Sequence, residues 1–485
     1  MTKGISDRIK TNLVLISLLI LPTLFAGCSF QTGCTGYSAT NISINQKAYE
    51  QKQDILDKLS FDIKVDRRGL GKKKAMVILA LSGGGSRAAY FSTSVMFALS
   101  SALKNEHIDI LKEVDVISAV SGGALPAAYY AFSSDQPDSA SSKQGVRYWE
   151  ERSVKELMTR RYRSRWIANW LWPINILKFW LTAYDRTDIM AETLSNNLFN
   201  DPISGKNYVF SDINKERPNL IINATNGTRP EFFDGSSDCR LDNDPSCSHF
   251  GDIFSFTREY FEDIGSDITE YELGRAVVAS AAFPAVFNFT TLYNKKAGDK
   301  RYLHLFDGGN SDNLGLESTE KLIRTNIDKY DRIIVILVDA YIEPLGVSGK
   351  RPDGRNWFSY IIDSDVIDSS DSLLKKLRYK RIQGTIDYLQ SLQDIAPLKN
   401  QPNTGATQLP RHALFYHIKL QDKKFNDQLF RQLNEIKTDF EIDTNDAKAI
   451  DDATKIIITK DNSCIRRIHE FLSVDEVSAG KVYCM

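Results

Sequence analysis

Residues 114–123 read Val114-Asp115-Val116-Ile117-Ser118-Ala119-Val120-Ser121-Gly122-Gly123. An apolar run ends on a serine, and two glycines and a small-residue helix start follow. The pattern sets Ser121 on a sharp turn between a buried strand and a helix. Such a turn lifts the hydroxyl out of the sheet and points it at a substrate. Small neighbours are needed because the turn crowds them against the strand. The usual form is G-x-S-x-G, and here Ala119 replaces the first glycine. Taken alone, the pentapeptide fits a nucleophile turn and a plain strand–helix turn equally, since Ser-Gly-Gly is a common turn.

The neighbouring segments repeat this plan. Ala75 to Leu81 is an apolar run of buried-strand type, broken at Ser82-Gly83-Gly84-Gly85-Ser86-Arg87. A helix is expected next, because Ala88, Ala89, Phe91, Val95, Leu99 and Leu103 fall mostly at helical spacing. Residues 75–104 and 112–132 are thus two strand–loop–helix units. Leu220–Ile222, Tyr302–Phe306, Arg332–Val338, Leu414–Leu420 and Thr454–Thr459 read as further strands, and a first helix is expected near 46–59. Strands alternating with helices predict an α/β domain with a mostly parallel sheet. Residues 133–210 are helical in character and tryptophan-rich. Residues 341–411 are polar, with a loop from Glu343 to Trp357. A helix follows with Leu373, Leu374, Leu377, Ile382, Ile386 and Leu389 on one side. Both segments read as insertions around one core, with 133–210 a candidate lid.

Two further motifs join the serine turn. Gly83-Gly84-Gly85 lies between a strand and a helix. Its N–H groups can approach a ligand closely, and the helix adds its positive end. The spacing is that of neither G-x-x-x-x-G-K-[ST] nor G-x-G-x-x-G, which disfavours a nucleotide. An oxyanion hole and a tight turn remain as readings. The serine turn within forty residues, on an expected adjacent parallel strand, favours the oxyanion hole. Asp307-Gly308-Gly309-Asn310 follows a strand. Asp307 would serve either as the base that accepts a serine proton or as an Asx turn closing the strand.

These three motifs, in this order, resemble the patatin-like phospholipase family. Ala279-Ser280-Ala281-Ala282-Phe283-Pro284-Ala285-Val286-Phe287 looks like the family's helix end and proline turn. Leu220-Ile221-Ile222-Asn223-Ala224-Thr225 looks like its central strand, and Asp312-Asn313-Leu314-Gly315 is similar to bacterial members. The resemblance spans roughly residues 75–340, with poor match over 133–210. Ala119 and Ala88 depart from the family pattern, though neither removes a reacting group. The resemblance implies a three-layer α/β/α fold and hydrolysis of acyl esters of phospholipids or lysophospholipids by a Ser–Asp dyad without histidine or metal. Ser121 would attack the carbonyl and Asp307 would move the proton. The N–H groups of Gly83, Gly84 and Gly85 would hold the oxyanion. Arg87 would bind a phosphate or headgroup, or else be a surface arginine at a helix start.

The ends and the composition place this core. Lys3, Arg8 and Lys10 precede an apolar run from Leu13 to Phe25, then Ala26-Gly27-Cys28. A charged start, a short apolar core and small residues before a cut describe a signal peptide. A cysteine after Ala-Gly resembles a bacterial lipoprotein signal, with Cys28 lipidated. Ser29 in place of aspartate then implies outer-membrane retention in the cell envelope. The expected organisation is a leader at 1–27, a tether and first helix at 28–72, a catalytic core at 73–340 and a C-terminal extension at 341–485. A net charge of −1 gives no sign of nucleic acid as a partner. Cys239 with Cys247, and Cys464 with Cys484, are possible disulfides that would leave Cys34 unpaired, and no spacing suggests a metal site.

Trp166, Trp170, Trp172 and Trp180 stand among Ile167, Leu171, Ile174, Ile176, Leu177 and Phe179, after Arg160, Arg161, Arg163 and Arg165. That combination suits membrane lipid at an interface, and equally a helical cap on the core. Two rival readings remain. One is an α/β-hydrolase triad using His412 or His417 after Asp307. The other is a non-catalytic lipoprotein that binds lipid or a partner.

Overall fold

The computed structural model describes residues 41–64, 75–135, 146–228, 250–296 without 285, 301–343, 364–399 and 410–485 without 411, 423, 475–476 and 478–479. The leader, Cys28, Cys34, the Cys239–Cys247 loop and residues 344–357 lie outside these.

The strands are β1 (Ala75–Leu81), β2 (Val116–Val120), β3 (Asn219–Asn226), β4 (Ile253–Phe256), β5 (Thr290–Asn294), β6 (Arg301–Asp307), β7 (Arg332–Asp339), β8 (His412–Lys419) and β9 (Tyr483–Cys484). They form one sheet in the order β5-β6-β3-β2-β1-β7-β8-β9, with β4 also paired to β3. The run β3-β2-β1-β7-β8-β9 is parallel, and β4, β5 and β6 add antiparallel pairs. β1 and β2 are adjacent, with Leu81 beside Ala119. Both β1 and β7 are buried along their whole length, as expected of parallel strands covered on both faces.

Helices make the outer layers: α1 (Gly85–Ala102), α2 (Ala124–Phe132), α3 (Glu151–Met158), α4 (Tyr162–Trp170), α5 (Pro173–Leu181), α6 (Arg186–Asn197), α7 (Leu273–Ser280), α8 (Leu316–Asn326), α9 (Ser364–Lys399), α10 (Asp427–Glu435), α11 (Thr444–Ile457) and α12 (Ser463–Ser473). Alternate residues of β1 feed two cores. Val77, Leu79 and Leu81 pack with α1, α2, α11 and α12. Met76, Ile78 and Ala80 pack with Leu322 and Ile323 of α8 and Ile382, Leu389 and Leu392 of α9. The result is a three-layer α/β/α fold. Each fully buried valine, leucine, isoleucine or methionine among them contributes about 1.5–3 kcal/mol relative to exposure.

Strands β8 and β9 extend this same sheet, and a disulfide joins Cys464 on α12 to Cys484 on β9. Three local expectations are corrected. Thr454–Thr459 is not a strand: α11 runs through to Ile457. Its Ala447, Ile450, Ala453, Thr454 and Ile457 are buried at helical spacing, and Asp443 caps its start. That packed face overrides the strand propensity of Ile456-Ile457-Ile458. The helix near 46–59 is two pieces, Gln46–Glu50 and Gln53–Lys58. Leu377 of α9 is exposed, unlike the buried Ile382 and Leu389, and the side chains of Leu373 and Leu374 lie outside the described residues.

Candidate active site

Ser121 lies directly after β2 and opens a single 3-10 turn, Ser121–Gly123, that leads into α2. Its φ is 50°, and His107 is the other non-glycine described residue with positive φ. A left-handed serine costs about 1 kcal/mol or more, so surrounding contacts must hold it. Two do so. Its N–H donates to Ser280 Oγ at 2.7 Å, and Ser280 Oγ donates to the carbonyl of Asn223 at 2.5 Å. Glycine follows for a steric reason. A Cβ on Gly122 would lie 2.0 Å from the carbonyl oxygen of Gly85. The serine turn and the glycine loop are therefore in direct backbone contact. Ala119, where glycine was expected, is fully buried within β2 and packs in the core.

Asp307 ends β6 opposite Ala224 of β3. Its Oδ2 accepts from Ser121 Oγ at 3.1 Å and its Oδ1 from the Gly309 N–H at 2.7 Å. Backbone bonds fix it: its N–H donates to Ala282, and the Gly308 N–H donates to Ser280. The residue is buried, and burial pushes its carboxyl up to about 6 against the opposing pull of Gly309 and Ser121. At neutral pH it is a carboxylate of raised basicity, hydrogen-bonded to a hydroxyl.

The glycine loop departs from expectation in one detail. The Gly83 N–H donates to the carbonyl of Asn313 at 2.9 Å, so it is not available to an oxyanion. Among the described residues, the N–H groups of Gly84 and Gly85 take no acceptor. Both residues have positive φ, 140° and 60°, and Gly85 begins α1. A Cβ on Gly85 would meet the carbonyl of Asp439 at 2.4 Å. Arg87 is buried, with Nε donating to the carbonyl of Ala340 and Nη1 to that of Ile436. These bonds tie the start of α1 to the end of β7 and to the segment after α10.

Ser121 lines a pocket with Gly85, Gly122, Leu125, Met158, Tyr162, Met190, Leu194, Val278, Ala281, Phe287 and Phe440. It holds about 480 Å³ of unfilled space, counting its open mouth. Phe287 and Phe440 meet edge to face at 5.3 Å.

Among the described residues no histidine contacts Ser121 or Asp307. His417 Nε2 contacts Asp339 Oδ2 at 2.7 Å, and Arg378 binds the same carboxylate. Burial and the cations Arg378 and Lys419 push its imidazole well below its usual range. His412 sits at the other end of β8, beside Arg332. The triad reading therefore lacks its histidine.

Residues 79–319 match the family model for patatin-like phospholipase. The chain carries a patatin-like phospholipase domain. That membership supports a lipid acyl hydrolase. No curated protein matches the chain. Among solved structures it is similar to VipD from Legionella pneumophila at 11% identity and a TM-score of 0.26, covering 81% of this chain and 70% of that one. It is also similar to the type III effector protein ExoU at 15% identity and a TM-score of 0.24, covering 70% and 68%. Those scores are too low for either likeness to bear on this site.

The sequence motifs of this patatin-like domain thus converge from three loops. Sequence reasoning missed the residues beneath them. Asn223 Nδ2 donates to Ser118 Oγ and the Ala119 carbonyl, while its Oδ1 accepts from Ser255 and Ser318. Asn223 and Ser280 fall inside quoted stretches, but their polar side chains in apolar runs were the only signal.

Proposed function

We propose that the chain is a serine acyl hydrolase that cleaves fatty-acyl esters of phospholipids or lysophospholipids through Ser121 and Asp307. The observation that carries this is the hydrogen bond to the buried carboxylate of Asp307 from Ser121 Oγ, whose residue lines an apolar pocket. The acyl chain enters that pocket. Ser121 Oγ attacks the ester carbonyl carbon as its proton passes to Asp307 Oδ2. The N–H groups of Gly84 and Gly85, with the positive end of α1, stabilise the oxyanion. Collapse breaks the bond to the leaving alcohol, which takes the proton from Asp307. Water then attacks the acyl-enzyme, giving its proton to Asp307, and the fatty acid leaves as Ser121 regains a proton. No histidine or metal is needed. Because the base must be ionised, kcat/KM rises with pH and levels off above about 6.

Anchoring in a bacterial outer membrane through Cys28 belongs to the same proposal and rests on the leader sequence. The test is release of free fatty acid from phospholipid and lysophospholipid micelles by the parent, Ser121→Ala and Asp307→Asn. Release by the parent and its loss in both variants is the expected result. A folded parent inactive on lipids and on a p-nitrophenyl ester would refute the proposal and favour a binding role.

A further inference from the structure

The helical hairpin of α4 and α5 carries apolar side chains that the core does not use. Trp172 and Trp180 are 63% and 68% exposed, and Leu171, Ile174, Leu177 and Leu181 are exposed beside them. Such a cluster calls for a partner. The hairpin itself is well held. Trp170 packs on Trp166 and on Phe179, and Asn175 Nδ2 donates to the carbonyl of Asn169. Trp166 in turn packs on Phe287, which lines the pocket, and Tyr162 at the start of α4 lines it too. The exposed cluster is therefore joined through packed rings to the lining of the pocket that holds Ser121.

We infer that this hairpin docks the enzyme on an anionic lipid bilayer, with Trp172 and Trp180 entering the boundary between headgroups and acyl chains. The inference rests on the lipid-hydrolase reading for its purpose and on three further observations for its partner. From Thr159 to Tyr184 the chain has four arginines and one lysine and no acidic residue. Arg163 is engaged with Asp439 and Glu441 and Arg161 also lies in the field of Glu441, while both Arg161 and Arg165 are exposed. Exposed indole rings flanked by arginines match the interfacial zone of a membrane, where aromatic rings lie at headgroup level and cations meet phosphates. Each of these helices has nine residues, and among the described residues no helix is long and apolar enough to cross a membrane. The hairpin would lie in the interface. A second copy of this chain fits less well, because a symmetric contact brings the same arginines together.

The test uses the full chain and vesicles of brominated phosphatidylcholine with phosphatidylglycerol. Residues 1–40 contain no tryptophan, so quenching by bromolipid reports on the body of the protein and not on an anchor at Cys28. Trp172→Phe with Trp180→Phe should lower the quenchable emission by about threefold or more, with an unchanged melting temperature. Arg161→Gln with Arg165→Gln should weaken binding to the anionic vesicles by about tenfold or more at low salt. Quenching that ignores the tryptophan pair overturns the inference. So does a lipid-free dimer that Trp172→Ser with Trp180→Ser dissociates, which would assign the surface to a second copy. Neither readout requires turnover, so failure of the docking and failure of the hydrolase reading are separable.

Discussion

Replacing Asp307 with asparagine should abolish activity and stabilise the fold at once. Burial raises this carboxyl from 3.8 to about 6. A raised carboxyl means the folded state prefers the neutral form. Its favourable contribution is therefore present below the unfolded value near 4 and lost as pH rises through about 6. Above that range, the ionised carboxylate costs the fold about 3 kcal/mol, from roughly two pKa units at 1.36 kcal/mol each. Asparagine is the same shape. Its Oδ1 can still accept from Gly309, and its amide can donate to Ser121 Oγ, so the charge is the main thing removed. With about 2 cal/mol/K per residue, a chain of this length loses about 1 kcal/mol per degree near its melting point, so the expected gain is about 3 °C at pH 7. The gain should shrink to about half at pH 5 and nearly vanish at pH 4, while kcat at pH 7 falls by about a hundredfold or more, a gap that narrows below pH 6 as the parent's own base is protonated. Differential scanning fluorimetry from pH 4 to 8, beside esterase assays, reads both effects. A variant no more stable at pH 7, or a gain independent of pH, would refute the buried-base reasoning.

Further expectations follow from the site's geometry. Gly122→Ala places a methyl against the Gly85 carbonyl and should move the oxyanion loop, lowering kcat by about a hundredfold or more in steady-state assays. Leu194→Trp should fill the pocket and shift preference toward short acyl chains, read from relative rates on p-nitrophenyl esters from butyrate to palmitate. His417→Asn should leave the rise in kcat/KM near pH 6 in place. It should lower stability by about 1–3 kcal/mol in urea titration, because Asp339 loses a buried partner.

The residues proposed to carry the chemistry were the most legible in the sequence. Ser121, Asp307 and the glycine loop each sit where a buried strand ends, and apolar runs bounded by glycine mark such ends clearly. Adjacency of β1 and β2 also followed from their repeated strand–loop–helix plan. What supports the site was not legible. Ser280 lies 159 residues from Ser121 and Asn313 lies 230 from Gly83, so no local pattern predicts that one pins the serine turn and the other occupies a glycine N–H. The error at Thr454–Thr459 has the opposite origin: a local run of isoleucines was read without the alanines upstream that complete a helical face. Arg87 looked like a surface arginine or a ligand for phosphate, and only the fold brings the Ala340 and Ile436 carbonyls to it.

The central claim is that Ser121 is a nucleophile activated by Asp307. Labelling with a fluorophosphonate probe, followed by peptide mass mapping, tests it most directly. The account predicts covalent label on the peptide containing Ser121, none in Ser121→Ala, and labelling slowed by about a hundredfold or more in Asp307→Asn. Label on a different serine, or fatty-acid release that survives Ser121→Ala, would contradict it.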